Sequence, residues 1–283
     1  MLLAVAGLIS VTIASCGEEE KKETKQETQG TNGEGILLRL TPQEGAVMES
    51  VIDMDITMKG DVGMSTSLAM EFNMKVDDVD AEGVITVTSE YTQMKVNMDM
   101  MGQEIRYNSD DASHTDPVSQ KMAEAMGGMI NTPFEMKMND LSEIVEAPDF
   151  SKMIGNDPMM AGQADQMKQT FDNMFAIYPE EAVNLGESWE RSTVSGNSQM
   201  PMKLNATYTL KDILDDKVIL ALSGSVESNG GMVSAEGTFT GTLDIDRATG
   251  FPTNSAMKQK ISISAQGMDV EMIMEMVMST KVK

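Results

Sequence analysis

The chain has 283 residues but holds only one cysteine and one histidine. A single thiol excludes an intrachain disulfide and any cysteine-built zinc cluster. The one imidazole, His114, sits in the polar stretch from Ser109 to Pro117 and reads as a solvated loop residue. A Ser-His-Asp or Cys-His arrangement therefore has nothing to stand on. Aromatic residues make up 4%, with one tryptophan, so aliphatic and thioether side chains must build the core. Basic residues are outnumbered, 21 against 45 acids, for a formal net charge of -24. That sign argues against nucleic acid as a partner and disfavours docking onto anionic lipid headgroups. Acids are plentiful, yet no carboxylate pair stands apart from turn chemistry. The expectation is a non-enzymatic protein with no metal and no cofactor.

Long apolar runs are also missing, apart from Met1 to Ser15. This run is shorter than the roughly 20 residues of a transmembrane helix and suits the apolar region of a signal peptide, although no Lys or Arg precedes it. It ends on Ile13-Ala14-Ser15-Cys16: a branched apolar residue, two small ones, then the cysteine. This resembles the lipobox of bacterial lipoproteins. The resemblance implies that residues 1–15 are removed, that Cys16 is acylated, and that the lipid bilayer is a partner through it. Two or three acyl chains on one residue anchor stably, where one chain binds only marginally. Residues 16–35 carry no apolar side chain beyond the cysteine and read as a disordered acidic tether. The triplet Glu18-Glu19-Glu20 resembles the export signal of some Bacteroidota lipoproteins. The expected location is the cell envelope, at the outer membrane, on either its periplasmic or its surface face.

From residue 36 to 283 the dominant period is two. Ile52, Met54, Ile56 and Met58 alternate with polar residues, as do Leu68, Met70, Phe72, Met74 and Val76. Near the end Met268, Val270, Met272, Met274, Met276 and Met278 share one parity. Such alternation predicts antiparallel strands with one wet face. Turn chemistry separates them at Asp77–Gly83, Leu214–Lys217 and Asp246–Gly250. The segment Phe72–Ser89 parallels Tyr208–Ser223, and Gly102–Tyr107 matches Gly241–Asp246. The predicted fold is mainly β (α+β): a duplicated antiparallel meander, as curved sheets or an open barrel, in halves 36–147 and 177–283. Helical spacing between them predicts two helices, Val118–Met126 and Met159–Phe175.

Further motifs are Leu37-Leu38-Arg39-Leu40, the proline-led approach Ile177-Tyr178-Pro179, Val183-x-x-Gly186-x-x-Trp189 and the turn Thr249-Gly250. With the Met-rich strands and the lipobox, they resemble a family of uncharacterised Bacteroidota lipoproteins over nearly all of residues 36–283. The resemblance implies fold and location and carries no activity. Trp189 is expected to anchor the core of the second half.

Thirty methionines are the compositional oddity. In the first reading they fill strand cores in place of Leu or Ile. In the second they line a pliable groove for an apolar ligand or an envelope protein, with Met70, Phe72, Met74, Met272, Met274 and Met276 as the lining. In the third, thioethers capture Cu(I), with pairs at Met98, Met100 and Met101 and at Met200 and Met202. Their place on the buried parity favours packing over metal capture. The leading expectation is an envelope lipoprotein that binds an apolar ligand or partner protein; the competing one is a structural subunit of an envelope complex.

Overall fold

The computed structural model describes residues 35–60, 63–100, 102–111, 113, 117–149, 177–197, 200–230, 233–265 and 268–283. Among these are twelve strands and one helix. Val47–Gly60 (β1), Met64–Val79 (β2), Ile85–Met100 (β3) and Gln103–Asn108 (β4) form one antiparallel meander. Helix Pro117–Met126 (α1) and the short strands Phe134–Met138 (β5) and Ile144–Glu146 (β6) follow. The second meander is Ser188–Asn197 (β7), Met200–Ile213 (β8), Lys217–Gly230 (β9), Val233–Asp246 (β10), Pro252–Ala265 (β11) and Met268–Val282 (β12). Strands β1 and β12 pair from Met48 opposite Val282 to Gly60 opposite Val270. The two meanders thereby fuse into one open sheet, ordered β6-β5-β3-β2-β1-β12-β11-β10-β9-β8-β7, with β4 beside the far half of β3. This is the mainly antiparallel architecture that the alternation predicts. Helix α1 matches the first expected helix, with Pro117 at its opening turn, and Ser119 Oγ donating to the Arg106 carbonyl of β4 at 2.6 Å. The second expected helix, Met159–Phe175, lies outside the described residues.

The sheet buries one face and wets the other. Met54, Ile56, Leu68, Val96, Met257, Met272, Met274 and Met276 all sit in one core, with their alternate neighbours outside. On the outer face Lys258 pairs with Glu275 at 2.8 Å and Lys260 with Glu271 at 2.6 Å. That apolar-in, charged-out polarity is the reverse of a strand that faces lipid. Five irregularities adjust the register among the described strands, including one each in the β10–β11 and β5–β6 pairs. On β3, Thr92 is inserted between Tyr91, opposite Phe72, and Gln93, opposite Glu71. The β2–β3 and β8–β9 hairpins each carry one further extra residue near their turns, Asp77 and Lys211.

The segment preceding β1 draws the two edges of the sheet together at one end. Ile36 forms a bridge with Val183, just before β7, while the Leu40 amide donates to the Asp140 carbonyl beside β5 at 2.8 Å. Arg39 donates to the carbonyls of Pro179 at 2.7 Å and Glu180 at 2.6 Å, and its Nε lies 3.3 Å from Asp140. Beneath it Leu38, Leu40, Ile177, Tyr178 and Phe251 are buried in the common core. Tyr178 donates its hydroxyl hydrogen to the Gly250 carbonyl, and Arg191 donates to the carbonyl of Tyr178. Trp189 donates to the Ile177 carbonyl at 2.8 Å and stacks on Tyr208 with ring centroids 5.7 Å apart. Gly250 closes its turn at φ +75°, where a Cβ would overlap the Arg39 carbonyl oxygen.

Gly250→Ala therefore combines left-handed strain with a backbone clash at the closed end. It is expected to lower the unfolding free energy by about 3 kcal/mol, and an unchanged urea midpoint would refute the clasp. The tyrosines give a second expectation. All four, Tyr91, Tyr107, Tyr178 and Tyr208, have phenols pushed above their ordinary value by burial, Tyr178 and Tyr208 furthest. A phenol with a raised folded-state pKa contributes its full stability below the unfolded value of about 10, and that contribution is lost as pH climbs through the folded value. Phenolate absorbance from Tyr178 and Tyr208 should therefore rise only together with alkaline unfolding. A reversible titration of all four phenols near pH 10 in the folded chain would contradict this packing.

Candidate functional site

The inner wall is not buried evenly. On β1, Met48 and Met54 are buried, but Ile52 between them is half-buried. Ile52 lies opposite Met70 of β2 on one side and Met278 of β12 on the other, and both are half-buried too. Phe72, two residues beyond Met70, sits opposite Tyr91, with ring centroids 6.3 Å apart. Tyr91 in turn lies 5.9 Å from Phe134. Ile52, Met70, Phe72, Tyr91 and Met278 thus form one contiguous, half-buried apolar patch on the inner face, a shallow recess between more deeply buried neighbours. Tyr91 keeps some accessible surface, while burial raises its phenol above the ordinary value.

Thr92 makes this recess possible. Without the inserted residue, Tyr91 and Met94 would point to opposite faces; with it both point inward. The recess is otherwise apolar, and methionine gives it walls that can repack at low conformational cost. Its nearest polar groups are Ser50 and Thr280, which hydrogen-bond one another at 2.8 Å, and the buried hydroxyl of Ser89.

The six expected lining residues divide. Met70 and Phe72 face the recess. Met74, Met272, Met274 and Met276 share the inner face but are 2–8% exposed, so neighbouring side chains cover them. Ile52, Tyr91 and Met278 complete the recess without having been singled out. Ile52 and Met278 were visible as members of alternating runs, whereas the bulge hid the facing of Tyr91. Cys16, His114 and Met101 lie outside the described residues. Of the other methionines proposed for copper, Met98 packs with Met64 and Ile105, Met100 is half-buried beside them, and Met202 is buried in the main core.

The acidic turns use their carboxylates locally. Asp80 Oδ1 accepts from the amides of Glu82 at 3.0 Å and Val84 at 2.8 Å. Asp246 Oδ1 accepts from the Thr249 amide at 2.8 Å and hydroxyl at 2.7 Å. Among the described residues, no group of three or more His, Cys, Asp or Glu is placed to hold a metal ion. A cleft of about 560 Å³ opens at the hairpin ends of β1, β11 and β12, between Lys59, Ile263, Asp269 and Glu271. Of its polar groups, Glu271 pairs with Lys260, and Ser264 donates to Asp269 at 2.6 Å.

Known proteins share parts of this description. Lipovitellin, in a structure of its lipid–protein interactions, superposes with a TM-score of 0.53 at 7% identity over 85% of this chain. The chain spans only 26% of lipovitellin, and the likeness is one of fold. The translocator domain of the autotransporter NalP from Neisseria meningitidis is more distant, with a TM-score of 0.34 at 6% identity, covering 84% of this chain and 89% of that one. Ail from Yersinia pestis has a TM-score of 0.17 at 7% identity over 84% of this chain and 100% of its own. No curated protein matches the chain in sequence. A family model of unknown function, DUF6263, matches residues 82–252, more than half of the chain and including Tyr91, Trp189 and Gly250, so the protein belongs to that family.

Proposed function

We propose that the protein is a non-enzymatic envelope lipoprotein, held at the outer membrane through acylated Cys16, that binds an apolar ligand on the inner wall of its sheet. The recess of Ile52, Met70, Phe72, Tyr91 and Met278 carries the reading: a contiguous, half-buried apolar patch with two methionines on the inner face of the sheet. The charged outer face supports a body standing in water, with its apolar surface turned inward. Lipovitellin, whose structure concerns lipid–protein interactions, supplies a precedent at the level of fold alone. The net charge of -24 keeps the body off an anionic bilayer, so the tether, not the sheet, makes the membrane contact.

Native mass spectrometry of the protein extracted from its own envelope tests the ligand. The expected spectrum shows a non-covalent apolar adduct, which Met70→Asp abolishes by placing a charge in the recess. A wild-type spectrum of bare protein, or one showing a second protein subunit instead, would sink the ligand reading in favour of a structural role. The anchor is tested separately. Cys16→Ser is expected to lose the covalent acyl mass and to move from the membrane to the soluble fraction. A variant that stays with the membrane would overturn anchoring through this residue.

A further inference from the structure

One side chain on the inner wall is out of character with its surroundings. Gln259 of β11 is 3% exposed, and neither its amide nitrogen nor its amide oxygen has a hydrogen-bond partner. It stands opposite Met274 on β12 and Phe239 on β10, with Met257 and Ile261 two residues away along its own strand. Met272 and Met276 are its diagonal neighbours. A buried amide without partners costs about 1–3 kcal/mol for each unmet group, and an isosteric apolar residue would remove that cost. Fold stability does not explain its presence there.

The chemistry around it defines what would meet the amide. The inner face of the described strands carries a single charged residue, Arg191, whose guanidinium is engaged with the Tyr178 carbonyl. Arg191 stands on β7, four strands away in the sheet order, and no charged residue faces inward from β10, β11 or β12, so a carboxylate or ammonium beside Gln259 would lack an adjacent counter-charge. A carboxamide, in contrast, donates and accepts at once, which suits an ester, an amide or a hydroxyl. The four methionines around it can shift to admit a head group and a chain in a way that Leu or Ile cannot.

Building on the apolar-ligand reading above, we propose that Gln259 is the hydrogen-bonding anchor for the uncharged polar head of an amphiphile whose hydrocarbon chain lies against the methionine-lined wall. The ligand class is thus a neutral lipid with a hydrogen-bonding head, not a free fatty acid and not a bare hydrocarbon.

Displacement of bound Nile red from the full-length chain by monoolein, oleate and hexadecane tests the assignment without a variant. Monoolein is expected to compete about tenfold better than either of the others, the size of one net hydrogen bond. In Gln259→Met this advantage should vanish while hexadecane is unaffected, and the empty variant should unfold at a higher urea concentration than wild type. If neither Nile red nor any competitor binds, the apolar-ligand reading fails and this inference falls with it. If the dye binds and the three compounds compete equally, or oleate competes best, the recess survives and the anchor is overturned. A Gln259→Met chain that unfolds at lower urea and keeps the preference for monoolein would show that Gln259 is a structural residue, and would overturn the anchor as well.

Discussion

Everything else in this molecule depends on the antiparallel pairing of its first strand with its last. Ser50 and Thr280 share a hydrogen bond although 230 residues separate them in sequence. Without that seam, each meander would end in an open strand with a methionine-rich face. With it, Met54 meets Met276, Ile56 meets Met274 and Met58 meets Met272 on the inside, while Lys59 meets Glu271 on the outside. A slip of one residue would turn the whole set of thioethers to water and the acids to the core, so the hydrophobic pattern itself specifies the register. Contacts so remote in sequence must wait for the closing of a very long loop, which makes this a slow topology to fold.

The same long-range logic explains the motifs that stand out in the sequence. Arg39, Tyr178, Pro179, Trp189 and Gly250 lie far apart in the chain and converge at one end of the sheet. Apart from the Arg39–Asp140 ion pair, the side-chain contacts made there are to backbone carbonyls or an aromatic ring, which is the chemistry of a clasp. Gly250 is required because its turn needs positive φ and the Arg39 backbone passes directly over it. The motif therefore reports how the sheet is held shut at that end. The open question of chemistry belongs to the inner wall, where the recess and Gln259 lie.

Much of this was legible from residue types alone. Period-two alternation in Met268–Met278 and Leu68–Val76 named both the strands and their inward faces, because a half-buried sheet leaves no other reason for that pattern. Helix α1 was legible from its apolar spacing; Trp189, expected from its size as a core anchor, is half-buried and packs against the edge of the core. The recess was only half legible. Met70 and Phe72 were identified by their parity, but Met74, Met272, Met274 and Met276 share that parity and are covered by neighbours. Alternation distinguishes the two faces of a strand; it says nothing about depth along a face, which depends on how the sheet curls. Tyr91 was hidden for another reason. The extra residue Thr92 reverses the parity within β3, and a bulge has no reliable signature in a run of Ser, Glu, Tyr, Thr and Gln. Gln259 did leave a trace: it is the one amide on the apolar parity of Ser255, Met257, Ile261 and Ile263.

A methionine-rich wall and a buried, unpartnered amide make sense together if the interior must be stable in two conditions. A core of Leu and Ile reaches one well-specified packing, and emptying it leaves a void with a penalty that grows with its volume. Unbranched thioether chains can fill such a space when it is empty and withdraw when it is occupied, so the difference between the two packings stays small. Binding selectivity must then come from elsewhere, because a wall that adapts to every hydrocarbon discriminates among none. An amide that has no partner in the empty state and gains one in the filled state supplies that difference. A ligand can shift a conformational equilibrium only by its differential affinity for the two states. At Gln259 the differential resides in a hydrogen bond that the protein cannot make for itself.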